Sequence, residues 1–314
     1  MPRQKKIRTL KDILVLAKRI ATSKTAGNRT LALAGADQEE GLKCVHDARQ
    51  RGLIKPLLIG DRQRITRLCR SLRIPLAGAE IIDEPDPKQA ALKAVALCRS
   101  GDAHILMKGT VNTDVILRAI LDRETGLGRG GLLSNITVFE SPTQKRLLFM
   151  SDPAVNINPD VARKVDMLRN AIWVAQRLGF ARPKVAVLAA VEKINAKDMP
   201  ATADAAILAK MGESGQIAGA DIAGPYALDI AVSKKAAECK HITGPVAGCA
   251  DILLCPDINS ANIFYKSLVY FAGREIANAM IGVKTPLVMT SRSDSSLTKL
   301  YTMALSVVLA GGEE

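Results

Sequence analysis

Four short stretches of the chain gather residue types that can hold an anion or stabilise a developing negative charge. In LVMTSRSDSSLTKLY (287–301) an apolar run stops, small and charged residues follow, and an apolar helical pattern resumes. Ser293 or Asp294 would cap that helix by accepting a backbone N–H. Ser291 and Arg292 exceed what a cap needs. The planar guanidinium binds two phosphate oxygens at once, and a serine beside it can donate to a reacting oxygen. A nucleophilic role for Ser291 is disfavoured, because G-x-S-x-G is missing and the chain has only 3 histidines.

The second stretch, LMKGTVNTDVILRAIL (106–121), runs from an apolar strand through Lys108, Gly109, Thr110, Asn112 and Thr113 into a helix carrying Arg118. A glycine lets backbone approach an anion, and hydroxyls and a helix N-terminus would hold it. The alternative is a capped helix with a solvated lysine and arginine, Arg118 lying about two turns along. The third stretch, GPVAGCADILLCPDINSANIFYK (244–266), places Asn259, Ser260, Asn262 and Lys266 just after a strand. These suit a phosphate or a nucleotide-like ligand, or else only start the helix. In the fourth, GPYALDIAVS (224–233), Gly224 and Pro225 predict a turn, and Asp229 is either a surface residue or a buried acid, with the structural role favoured. No G-x-G-x-x-G follows a strand, since GLGRGG (126–131) follows a helix, and no G-x-x-x-x-G-K-[ST] occurs. A nicotinamide enzyme of the Rossmann type is therefore disfavoured.

Such residues need elements to position them. Nearly continuous apolar runs predict strands at 31–35, 56–60, 104–109, 184–190, 251–255 and 285–290. Helical periodicity fills 38–51, 61–72, 87–100, 112–123, 159–178, 201–212, 260–272 and 295–310. The alternation predicts an α/β fold built on parallel sheet, with ligands at the carboxyl ends of strands. The proline- and asparagine-rich stretch 140–159 marks a break between two α/β blocks. The last strand and helix resume the style of the first block. The expected organisation is 1–145 plus 285–314 as one domain, with 146–284 inserted.

Composition narrows the function classes. The chain has 314 residues and is 48% apolar but only 3% aromatic, so its core is aliphatic, and no apolar run is long enough for a membrane span. Of the net charge of +13, residues 1–30 contribute nine Lys/Arg less one Asp, +8, leaving +5 for the rest. Leu10, Ile13, Leu14, Ala17 and Ile20 at helical spacing predict an amphipathic helix there rather than a transit peptide. Without interleaved aromatics to stack bases, nucleic acid is a poor partner, while an anionic small substrate remains open. The 6 cysteines form no C-x-x-C pair or zinc spacing, which predicts reduced core thiols in a cytoplasmic protein and no metal site.

Taken together, LMKGTVNTDVILRAIL, FMSDPAVNINP, PKVAVLAA, GPYALDIAVS, GPVAGCADILLCPDINSANIFYK and PLVMTSRSDS resemble the phosphate acetyltransferase/phosphate butyryltransferase family, closer to its butyryl branch. The resemblance spans roughly 103–296 and is most specific from GPVAG through NIFYK. It implies reversible transfer of a short acyl group between coenzyme A and inorganic phosphate, with no metal and no tightly bound cofactor. It implies a fold similar to the isocitrate and isopropylmalate dehydrogenases, two α/β domains flanking a cleft, in a homodimer. By the same resemblance Ser291 stabilises the transition state, Arg292 binds phosphate and Arg118 is a second anion-binding arginine. The acetyl enzymes place the thiol's base at the position of Thr298, which has no carboxylate. Asp294 is the nearest substitute, as base or as cap. A non-catalytic homologue that binds coenzyme A or phosphate is the alternative, and a metal-dependent dehydrogenase of similar fold a more distant one.

Overall fold

The computed structural model describes residues 7–23, 29–128, 130–290 and 294–310. In chain order the first elements are α1 (Leu10–Ala21), β1 (Arg29–Ala34), α2 (Glu39–Gln50), β2 (Ile54–Gly60), α3 (Arg62–Ser71), β3 (Glu80–Asp83), α4 (Pro87–Ser100), β4 (Ile105–Lys108) and α5 (Thr113–Leu121). Next come β5 (Ser134–Glu140), β6 (Leu147–Ser151), α6 (Val161–Arg177), β7 (Lys184–Leu188), α7 (Pro200–Glu213), β8 (Asp221–Tyr226), α8 (Leu228–Val232), α9 (Lys234–Cys239), β9 (Ile252–Leu254) and α10 (Ile258–Tyr270). The chain closes with β10 (Ile276–Ile281), β11 (Leu287–Val288) and α11 (Ser296–Ala310).

These elements form two compact units, one of residues 11–131 and 277–310, the other of residues 7–10 and 132–276. In the first, the strands run β3-β2-β1-β4-β11-β10. Leu31, Ala32, Leu33 and Ala34 of β1 are all buried, as a strand covered on both faces requires. The register Leu31↔Ile105 and Ala34↔Lys108, with Val288↔Met107, brings the ends of β1, β4 and β11 to one edge. In the second unit the order is β5-β6-β9-β7-β8. Phe149 of β6, opposite Ile252 of β9, meets Phe180 edge to face at 5.1 Å.

The sheets are not wholly parallel, contrary to the expectation from sequence. β5 and β6 are antiparallel, as are β10 and β11. The connections 141–146 and 282–286 are too short for the crossover that parallel neighbours need. Two further corrections fall where turn residues were weighted over apolar ones. LLFMS (147–151), inside the expected break, is the fully buried strand β6, and Gly224-Pro225 lies within β8 rather than in a turn.

The amphipathic start is α1, with Leu10, Ile13 and Ala17 buried and Lys11, Lys18 and Arg19 exposed. All 6 cysteines are described and free: Cys69, Cys98 and Cys255 are buried, Cys44 and Cys249 half-buried, Cys239 exposed. Burial pushes the thiols of Cys98 and Cys255 up to about 12. Among the described residues no helix is long and apolar enough to cross a membrane.

Candidate functional site

In the first unit the expected anion loop leaves β4 at Lys108 and enters α5, with Asn112 as the cap residue. The Lys108 ammonium donates to the carbonyls of Gly109 and Val111 at 3.2 and 3.0 Å. Thr110 Oγ1 donates to Gly35 O at 3.2 Å and to Asp37 Oδ1 at 2.9 Å, so its hydroxyl ties the turns after β1 and β4 together. Gly109 is required by that tie, because a Cβ there would lie 1.9 Å from the carbonyl oxygen of Gly35. Thr113 opens α5, and Arg118 in its last turn is exposed, 3.8 Å from Asp114.

Ser291 and Arg292 lie outside the described residues. Their flanks do not. Thr290 lines a crevice of about 40 Å3 with Gln38, Glu40, Lys108, Gly109 and Lys299. Ser295 carries the cap of α11, its hydroxyl oxygen accepting the N–H of Thr298 at 2.9 Å. Asp294 is half-buried at this entry, and Thr298 is buried. Gln38, Glu40, Thr290 and Lys299 were not picked out from sequence. The signal that finds them is strand adjacency, because β1, β4 and β11 are neighbours in the sheet.

In the second unit, Asp257 and Ser260 form a capping box at the start of α10. Asn262 Nδ2 donates to Pro153 O at 3.0 Å, and Lys266 lies over the rings of Tyr265 and Tyr270 at 5.1 and 5.7 Å. Asn259 is exposed on the first turn. Asp229, weighed as a buried acid, is exposed on α8, 4.0 Å from Lys240.

Residues 85–307 match the family described as Phosphate acetyl/butaryl transferase. The chain belongs to this family. It is 43% identical to a phosphate butyryltransferase of Clostridium acetobutylicum over 285 residues, 91% of this chain and 94% of that one. It is 41% identical to a phosphate acetyltransferase of Thermotoga maritima over 297 residues, 95% and 100% of the two chains. The crystal structure of a branched-chain phosphotransacylase from Enterococcus faecalis V583 superposes with a TM-score of 0.81 at 31% identity, covering 90% of this chain and 99% of that one. The chain is thus a phosphate acyltransferase with the family's α/β fold.

One residue of the family-like stretch FMSDPAVNINP escaped attention in the sequence. Asp152 is 1% exposed at the end of β6. Its Oδ1 accepts the N–H groups of Ala154 and Val155 at 2.9 and 3.0 Å, and its Oδ2 accepts Asn156 Nδ2 at 2.6 Å. Burial raises the carboxyl pKa, and these donors oppose the rise. The segment so held supplies Pro153 O to Asn262 and Ile157 O to the N–H of Ile258, fixing where α10 begins. Asp152→Ala leaves the buried side-chain amide of Asn156 and the part-buried N–H groups of Ala154 and Val155 unmatched and is expected to cost about 3 kcal/mol. A urea unfolding midpoint indistinguishable from that of the parent chain would contradict this.

Proposed function

We propose that the protein transfers a short acyl group reversibly between coenzyme A and inorganic phosphate, with butyryl preferred and acetyl accepted. The observation that carries this reading is the sequence pair Ser291–Arg292 directly after Thr290, which itself lines a crevice with Lys108 and Lys299, in a chain 43% identical to a phosphate butyryltransferase.

In this reading the thiolate of coenzyme A attacks the carbonyl carbon of an acyl phosphate. A carbon–sulfur bond forms, the carbon–oxygen bond to phosphorus breaks, and the thiol's proton passes to a base. A free thiol is mostly protonated at neutral pH, so a carboxylate such as Asp294 or cationic surroundings raises the attacking fraction. Charge grows on the carbonyl oxygen, where Ser291 donates a hydrogen bond. Phosphate departs into the fork of Arg292, assisted by Lys108 and Arg118. Gly109, Thr110, Asn112 and Thr113 hold the loop that carries Lys108, and Asn259, Ser260, Asn262 and Lys266 are assigned to coenzyme A. The reaction balances without a metal or a tightly bound cofactor. We assign the protein to the cytoplasm as a homodimer.

The test is direct. Pure protein with coenzyme A and C2 to C5 acyl phosphates is followed by thiol loss and thioester formation. Turnover with butyryl phosphate exceeding that with acetyl phosphate is expected, and no turnover with any of them would sink the reading in favour of a non-catalytic binding protein. In the same assay Asp294→Asn should lower kcat about 100-fold or more, as loss of a general base does. Activity equal to wild type would leave the capture of the thiol proton to another group.

A further inference from the structure

The crevice after β4 and β11 holds a cation that the mechanism above leaves unused. Lys299 is in the first turn of α11, half-buried, and lines the crevice with Lys108, Gly109 and Thr290. Its charge is felt inside the unit: burial pushes the Cys44 thiol up to about 12, and the Lys299 ammonium pulls it the other way. The charged residues of the lining are Lys108, Lys299 and Glu40, a balance of one positive charge. Lys108 already donates to loop carbonyls. Lys299 forms no ion pair among the described residues. At about 10–15 Å3 per water, a volume of about 40 Å3 is that of a few waters or one small anion. Thr290, which lines the crevice, is followed in the sequence by Ser291 and Arg292, the pair assigned to the reaction.

We propose that Lys299 binds the inorganic phosphate of the reaction, its ammonium pairing with a phosphate oxygen at the mouth of this crevice. The proposal rests on the acyl-transfer reading for the identity of the anion. It also gives the neighbouring Thr298 a context: where that position lacks a carboxylate, the adjacent residue adds positive charge that favours both bound phosphate and a nearby thiolate.

Calorimetric titration with inorganic phosphate, without coenzyme A or acyl donor, tests it on the full chain. Lys299→Gln is expected to weaken phosphate binding about 10- to 100-fold, the range of one charge-assisted hydrogen bond. The KM for phosphate should rise in parallel, with kcat within about threefold and coenzyme A affinity within about twofold. Lys299→Arg, which keeps the charge, should bind phosphate close to wild type. Unchanged phosphate binding in Lys299→Gln, a loss confined to coenzyme A, or equal losses in the Gln and Arg variants would each overturn the assignment. Absence of turnover in the wild type, with phosphate binding lost in Lys299→Gln, would refute the reaction and leave the site. Turnover with unchanged phosphate binding would do the reverse.

Discussion

Gly109→Ala is expected to destabilise the unit of residues 11–131 and 277–310 by about 3 kcal/mol or more, enough to abolish activity well below the parent unfolding temperature. The added Cβ would lie 1.9 Å from Gly35 O, 2.7 Å from Gly35 C and 2.8 Å from Ala34 O. Every one of those atoms is backbone, so no rotamer change relieves the overlap. Relief requires β4 to leave β1 at its carboxyl end, where the N–H groups of Gly109 and Thr110 donate to Ala34 O and Gly35 O at 2.8 and 2.9 Å. Those bonds and the Thr110 hydroxyl bonds would go together, displacing Lys108. Denaturant unfolding monitored by circular dichroism checks this. An alanine variant with the parent midpoint would show that the two turns do not meet as described.

Arg292→Lys is expected to lower kcat/KM for phosphate about 100-fold while leaving the unfolding temperature unchanged. Lysine keeps the charge and loses the planar pair of donors that matches two phosphate oxygens. Charge-assisted hydrogen bonds contribute about 1.5–3 kcal/mol each, and each 1.4 kcal/mol is a factor of 10. The loss should fall on the phosphate-dependent parameters, with the KM for acyl-CoA moving less. Steady-state kinetics in the phosphorolysis direction make the measurement. Wild-type KM for phosphate and wild-type rate in this variant would refute the fork. A fall in rate matched by a fall in unfolding temperature would place Arg292 in the fold rather than the reaction.

The α/β class was legible because buried strands carry their own signature. The run Leu31, Ala32, Leu33 and Ala34 is apolar at every position, and in so short a segment that pattern suits a strand covered on both faces. Helices with a cap and a glycine stop were read closely, as at 87–100, where Asp86 caps and Gly101 adopts a left-handed turn. Strands β5 and β6 were missed because a hairpin strand beside prolines and asparagines resembles a linker in composition. The role of Gly109 was only partly legible. A glycine at a strand end announces a close approach, yet its partner Gly35 lies 74 residues earlier, and no local pattern reports such a neighbour. The bonds of Ser260 to Asp257 and of Asn262 to Pro153 were not legible for the same reason: they depend on cap geometry and on a distant loop.

The placement of the cysteines bears on how such a protein coexists with its substrate. A catalyst that handles coenzyme A meets a free thiol, and its oxidised disulfide form, throughout its working life. Exchange with that disulfide demands a thiolate that is both formed and reachable. With Cys98 and Cys255 buried and their thiols pushed up to about 12, neither condition is met at those two positions. Capture of the cofactor as a mixed disulfide is thereby confined to the thiols nearer the surface, Cys239 foremost, on the short helix α9. The interior of this enzyme is insulated from the redox state of its own substrate pool.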